Sequence, residues 1–406
     1  MMSTGSSGSS DGRNTCRLRL AEYYCIEGLN SFACTLFINS IYFWTRARFG
    51  FSDTMNLLLG ATQGGVYVLA ARWGGKASDR LGYDRQMLAT LALMAAVLSI
   101  GWWPPLTMAP YIVLALLTIG MGAFWPANEA VVMHSPGALS MPQRLGAYNV
   151  VWSLMGALGF FASGALFDVH ANLIFLVPAA LFVVEIVWLL RPSRGTTRAG
   201  VTAMALPHTG VRVPAAVKQR FMQTAWIGNC AGYVIITSMS ALMPHIGEQL
   251  GLRPSHAIWL SCTMMFARGA SFAFYWWWEG WHYRQGWFAA ALAGAPACLA
   301  VVFFSRHIPV VFAALMLMGL ALGLIYYSSL YYSMDVGESK GEHGGLHESL
   351  IGMGVLVGPL TGAAGGWLFG TVGARCTILA LTAVAASTAI GWLARRRPGS
   401  AGVPAG

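Results

Sequence analysis

Apolar runs long enough to cross a bilayer recur along this chain and leave few folds open to it. A membrane-spanning helix needs about 20 mainly apolar residues. Twelve stretches meet that requirement: 21–44, 53–73, 86–104, 108–132, 144–167, 171–190, 219–243, 256–279, 286–304, 308–333, 345–369 and 372–394. The first and fifth are the least hydrophobic. Backbone N–H and C=O groups cannot stay unpaired in hydrocarbon, so runs of this length predict helices. The strands of a membrane barrel would be about half as long and would alternate in polarity. Composition agrees: charged residues make up 10% of the chain, against about 25% in soluble proteins. With so little charge, most of the outer surface must face lipid.

The net charge of +10 does not point to nucleic acid, because the basic residues are scattered between the spans. Their placement reads instead as membrane topology. If both termini are cytoplasmic, 19 of the 25 Lys and Arg residues fall inside and 5 outside (Arg46, Arg48, Arg253, Arg306 and Arg375), with Arg268 within a span. An odd number of spans would break that bias in one half. The opening MMSTGSSGSSDGRNT is Ser/Gly-rich, and residues 1–20 are expected to be a disordered cytoplasmic tail. No cleavable signal peptide is visible, so the first span would serve as an uncleaved anchor. Cys25, Cys34, Cys230, Cys262, Cys298 and Cys376 sit in apolar segments and Cys16 precedes them; no CxxC pair or nearby His gives a disulfide framework or metal site.

The longest polar link, 191–218, divides the chain near its middle. Three local patterns repeat across it at one offset. Tyr-Asp-Arg-Gln ending at Gln86 and His-Tyr-Arg-Gln ending at Gln285 are 199 apart, as are Asn30 and Asn229, and Gly159 and Gly358. The common offset predicts a duplicated unit, 21–190 and 219–394, with 395–406 as a cytoplasmic tail. The expected fold is an all-α membrane protein of twelve transmembrane helices in two pseudo-symmetric six-helix bundles.

Between the second and third spans the sequence reads GGKASDRLGYDRQ. Gly75, Asp79, Arg80, Gly82 and Arg85 match the pattern of glycine, three variable residues, Asp-Arg, one residue, glycine, then basic residues. This resembles the signature loop of the major facilitator superfamily. The resemblance implies that the glycine lets the second helix approach the eleventh, that the aspartate faces that helix's N-terminus, and that the basic residues join a conformational latch. Helix-terminus charge interactions of about 0.3–1 kcal/mol suit a latch broken every cycle. Asp84 interrupts the usual basic run, and the second copy, EGWHYRQ from Glu279, keeps little beyond Arg284. In the eleventh span Gly354, Gly358, Gly362, Gly366 and Gly370 recur every four residues, a spacing for close helix packing. A GxxxG homodimer is the rival reading; the expected unit is a monomer. Gly156, Gly159 and Gly164 form a looser version in the fifth span.

Polar groups within spans are functional candidates because they are costly in lipid. Tyr23, Glu27, Asn30, Cys34 and Phe37 share one face of the first helix. By the resemblance, helices one, four, seven and ten line a central cavity, which implies a substrate cavity formed by Tyr23, Glu27, Asn30, Trp125, Asn128, Asn229, Tyr326, Tyr327 and Tyr331. Glu27 is the candidate for proton coupling; the other reading keeps it hydrated or paired with Arg17 or Arg19. Arg268 would pair with a carboxylate such as Glu348 or bind an anionic solute, and Glu129, Arg144, Arg268 and Glu348 are the gating ion-pair candidates. Asn149 and Trp152 suit either solute contact or packing. Trp276, Trp277 and Trp278 read as an interfacial belt.

No nucleotide-binding loop is present, since Lys76 is followed by Ala77 and Ala70 replaces the upstream glycine. No catalytic grouping or cofactor motif stands out. The expectation is therefore a secondary active transporter, not an enzyme. It would move a small organic solute across the bacterial inner membrane, with protons as the candidate coupling ion. A transporter-like sensor or scaffold is the alternative.

Overall fold

The computed structural model of the protein describes residues 8–134, 141–191, 213–336 and 340–395. Among them every regular element is helical and no strand occurs. The helices are α1 (Gly8–Phe49), α2 (Asp53–Leu81), α3 (Tyr83–Gly101), α4 (Ala109–His134), α5 (Met141–Val169), α6 (Leu173–Leu189), α7 (Ala215–Gln249), α8 (Pro254–Trp277), α9 (Gln285–Phe304), α10 (Ile308–Val336) and α11 (Lys340–Ala394). A short 3-10 turn, Glu279–Trp281, precedes α9. Among the described residues, seven helices are long and apolar enough to cross a membrane by length and composition.

Local chemistry sets the helix ends. Ser52 caps α2 by accepting from the Met55 amide at 3.3 Å, with Asp53 in the first turn where the helix dipole favours an anion. Gly82, at φ 84°, breaks α2 from α3 in a backbone region that other residues avoid. Pro254 opens α8 at a position where its missing N–H costs nothing. α11 is bent into two arms at Phe369 and Gly370, where Gly370 adopts φ 69°; the break falls between the two spans expected at 345–369 and 372–394. α1 begins at Gly8, inside the stretch expected as a disordered tail, because extending a nucleated helix adds a hydrogen bond per residue without a new nucleus. Most of the expected 191–218 linker and nearly all of the 395–406 tail lie outside the described residues.

The packing partners repeat along the chain. α1 packs on α5 as α7 packs on α11; α2 packs on α4 as α8 packs on α10; α3 packs on α4 as α9 packs on α10. Early helices meet late ones mainly where α2 packs on α11 and α5 on α8, with smaller contacts of α7 with α1 and α2. The glycine-rich face of α11 is occupied within the chain from Gly354 to Gly366, while a Cβ at Gly370 would meet nothing within 4 Å. A side chain at Gly354 or Gly358 would meet Cys230, Tyr233 and Val234 of α7, one at Gly362 would meet Ile378 of the second arm, and one at Gly366 would meet Thr54 of α2. The close approach of α2 to α11 is made at Gly64, where a Cβ would strike the backbone of Val355 and Leu356. Gly75, for which the resemblance implied that role, has no described side-chain environment.

Candidate substrate cavity

A cavity of about 190 Å³ lies where α1, α2, α4 and α5 meet α7, α8, α10 and the first arm of α11. α1 contributes Thr35, Ile38, Asn39 and Tyr42, spaced as one helix face. Facing them are Gln63 and Tyr67 of α2, Trp125 and Glu129 of α4, and Tyr148, Asn149 and Trp152 of α5. The later helices supply Tyr233, Thr237, Ser240, Arg268, Tyr326, His347 and Glu348, among others. Among the described residues, α3, α6, α9 and the second arm of α11 add nothing to the wall.

Arg268 organises one side of this cavity. Its guanidinium lies 4.8 Å from the Tyr326 ring centroid, 5.1 Å from Trp152, and 5.4 Å from both Tyr233 and Phe272. Nη2 donates to the Tyr233 hydroxyl at 3.2 Å, while Nε is buried with no partner. The Trp152 and Tyr326 rings stack at 5.7 Å. The Arg268–Glu348 ion pair expected from sequence does not form among the described residues. Glu348 instead accepts from the Tyr67 hydroxyl at 2.5 Å. Aromatic faces hold the arginine because their quadrupoles stabilise a cation without the desolvation of a second charge. His347 accepts from or donates to Ser329 Oγ at 3.1 Å and packs edge-on to Tyr326. Glu129 faces the cavity, whereas Arg144 is buried and donates to the Met133 carbonyl at 3.0 Å.

The structure divides the cavity residues expected from sequence. Trp125 and Tyr326 line it. Tyr327 and Tyr331 do not: each lies one residue, about 100°, around α10 from the lining pair Tyr326 and Leu330. Tyr327 packs against Phe272 and Trp281, and Tyr331 stacks on His282 at 4.1 Å. On α1 the whole expected face turns away from the cavity. Glu27 is buried against α4 and α5, accepting from Ser31 Oγ at 2.8 Å and from Asn128 Nδ2 and the Tyr148 hydroxyl at 2.7 Å each. Asn30 donates to Glu185 of α6 at 3.1 Å, and Tyr23 donates to Asp84 at 2.7 Å. Asn229 is buried in α7, its amide nitrogen without a partner. The polar stripe marked a hydrogen-bonded seam among helices, which satisfies polar groups as well as a wet cavity does. Tyr148 bridges the two regions, touching the cavity and Glu27 together.

In the signature loop, Arg80 and Arg85 are exposed, and the side-chain surroundings of Asp79 are not among those described. Gln86, the last residue of the duplicated motif, ties three helices by donating to the carbonyls of Gly74 at 2.9 Å and Ala123 at 2.7 Å.

At the end of the molecule where α1 meets α2, a charge network that sequence reading missed joins early helices to late ones. Arg46 holds Glu248 of α7 through two contacts of 2.6 Å and Asp53 of α2 at 3.1 Å. His245 lies 3.5 Å from Asp53, and Thr371, just past the α11 bend, donates to Asp53 at 3.0 Å. Arg253, just before α8, pairs with Asp168 of α5 at 3.1 Å on that end. Its sequence signal was the offset of 199 between Arg46 and His245, the same spacing as the duplicated motifs. At the opposite end Lys218 and Tyr283 both hold Asp335. Burial, followed by the bond to Asp335, raises the Tyr283 hydroxyl pKa, so it stays a donor at physiological pH.

Comparisons with known proteins agree with this architecture. The profile of the Major Facilitator Superfamily matches residues 24–344. No curated protein matches the chain by sequence. Among solved structures, the nucleoside transporter NupG superposes with a TM-score of 0.72 at 10% identity, covering 93% of this chain and 99% of that one. A bacterial homologue of the human lysosomal transporter Spinster, inward-facing and unoccupied, gives 0.70 at 13% identity, covering 96% and 97%. The human organic anion transporter MFSD10 gives 0.62 at 16% identity, covering 93% and 99%. The long apolar helices and the family match together identify a multi-pass membrane protein, and the chain belongs to the major facilitator superfamily of transporters.

Proposed function

We propose that this protein is a secondary active transporter that carries a small organic solute across the bacterial inner membrane by alternating access. Its twelve spans form two six-helix bundles, 21–190 and 219–394, joined by a cytoplasmic linker, with both termini in the cytoplasm. One observation carries the reading: eight helices drawn from both parts of the chain wall a polar, aromatic cavity, while the rest stay outside it. The repeated packing partners support the paired bundles, and the α2–α11 and α5–α8 contacts are the seams along which they would rock.

The solute we favour is planar and hydrogen-bonding. The Trp152–Tyr326 stack offers aromatic faces, and Asn39, Gln63 and Asn149 offer amides at the same wall. Nucleosides meet this description, and NupG, of similar fold, transports them. Glu27 is the proton-coupling carboxylate in this reading, reached from the cavity through Tyr148.

Counterflow in proteoliposomes, with labelled nucleosides and sugars, tests transport whatever the driving ion. Exchange of a trapped solute is the expected result. No exchange of any solute, together with ligand-induced thermal stabilisation, would favour a sensor. Accessibility tags at both ends of the chain should report from the same side of the membrane.

A further inference from the structure

Glu185 of α6 stands outside the cavity wall, and the proposed transport cycle makes no use of it. Its carboxylate is fully buried, as is that of Glu27 on α1. Among the described residues neither forms an ion pair with a basic side chain. A buried carboxylate can remain ionised without a cation when several donors surround it. Glu27 meets that condition with three donors: Ser31, Asn128 and Tyr148. Among the described residues Glu185 has a single donor, Asn30 Nδ2 on Oε2, and its Oε1 has no partner.

The shortage extends beyond Glu185. Asn128, fully buried and spending its amide nitrogen on Glu27, leaves Oδ1 without a donor. Asn30 uses its amide between the two sides, accepting from Cys34 Sγ at 3.5 Å while donating to Glu185. Glu185 Oε1 is therefore a buried carboxylate oxygen with no donor among the described residues. The smallest ligand that neutralises it is a proton.

We propose that Glu185 is a proton-binding site, carrying the proton on Oε1 as a neutral acid beside an ionised Glu27. The titratable groups facing it from the packed elements are few. α1 presents Glu27 and Cys34, and α5 presents Tyr148 through Glu27. The titratable residues of α3, namely Tyr83, Asp84 and Arg85, sit at its first turn, where Asp84 accepts from Tyr23. On α5, Arg144 donates to the Met133 carbonyl and Asp168 pairs with Arg253 at the far end. The protonation does not rest on the alternating-access reading.

Infrared difference spectroscopy on the purified protein in lipid, near neutral pH and with deuterium exchange, tests the assignment with no solute and no gradient. A C=O stretching band of a protonated carboxylic acid should be present in the wild type and in Glu27→Gln, and lost in Glu185→Gln. The Glu185→Gln protein should keep its melting temperature, since a neutral isostere replaces a neutral acid. A wild-type minus Glu185→Gln spectrum showing only an ionised carboxylate would overturn the proposal, and so would a band at Glu185 that depends on sodium. If Glu185→Gln fails to fold, Asn30→Ala removes the single donor and should move the acid band to higher frequency; an unmoved band would overturn the assignment. A protein inactive in counterflow but showing the band would retain the proton site and lose only the transport reading.

Discussion

Arg268 shows how an apolar interior accommodates a charge with no ion-pair partner among the described residues. A cation at mid-bilayer depth costs at least about 2.5–3.5 kcal/mol, while each desolvated cation–π contact returns about 0.5–2 kcal/mol. Four ring faces within 5.4 Å are enough to hold it. Lysine keeps the charge but lacks the flat guanidinium that stacks. Arg268→Lys is therefore expected to lose about 1–2 kcal/mol of stability, read as a lower melting temperature in detergent. Arg268→Met, which removes charge and keeps bulk, should melt at or above the wild type and yet lose transport. Trp152→Ala removes one face of the proposed solute stack. An aromatic pair is worth about 0.5–1.5 kcal/mol, so counterflow should show a half-saturation concentration about two- to tenfold higher.

At the scale of helices, small residues serve two kinds of contact. Gly358 lets α11 lie against Val234 and Ser238 of α7, an approach within the later helices, whereas Gly64 lets α2 lie against the α11 backbone, joining early helices to late ones. Overpacking typically costs about 1–3 kcal/mol. If the bundles move as units, the two sites respond differently. Gly358→Val should lower folded yield and melting temperature in every conformation. Gly64→Val should fold, because separating α2 from α11 relieves the clash, and should shift the protein toward the state in which that seam is open. Paired cysteines at positions 67 and 352, near the seam, would cross-link less in Gly64→Val; unchanged cross-linking would argue against a moving seam. α1 carries the clearest lesson about faces. Its most polar stripe packs among helices, and Thr35, Ile38, Asn39 and Tyr42, whose polar groups are uncharged amides and hydroxyls, wall the cavity.

For the whole molecule, the decisive feature is the network centred on Arg46, which ties α1 and α2 to α7 and to the second arm of α11. Arg46 is partly exposed and Glu248 more so, and exposed ion pairs are worth about 0.2–1 kcal/mol each. That is strong enough to bias a two-state equilibrium and weak enough to be broken in each turn of the proposed cycle. Arg46→Ala should raise the reactivity of a cysteine placed at Ser240 toward an impermeant thiol reagent added on that side, in a background lacking the native cysteines. A double-mutant cycle with Glu248→Ala should show coupling, since one bidentate contact is shared. Additive effects would mean that the network does not act as a closure.

Hydropathy and length alone predicted where the chain could cross lipid, because an unpaired backbone group in hydrocarbon is too costly for any element but a helix or a closed barrel. The loop at Gly75–Arg85 carried the family resemblance, since it answers to local constraints: a turn at Gly82 and charges at a membrane surface. Which face of each helix meets solute was not legible. Tyr326 and Tyr327 are adjacent and chemically identical, yet one lines the cavity and the other packs on Trp281. Glu27 and Glu129 are both carboxylates in apolar runs, yet one is sealed among three donors and the other faces the cavity. Sequence registers that a polar group must be satisfied. Only tertiary packing decides whether a neighbouring helix or a solute satisfies it, because the partners of Arg268 and Glu27 come from helices far apart along the chain.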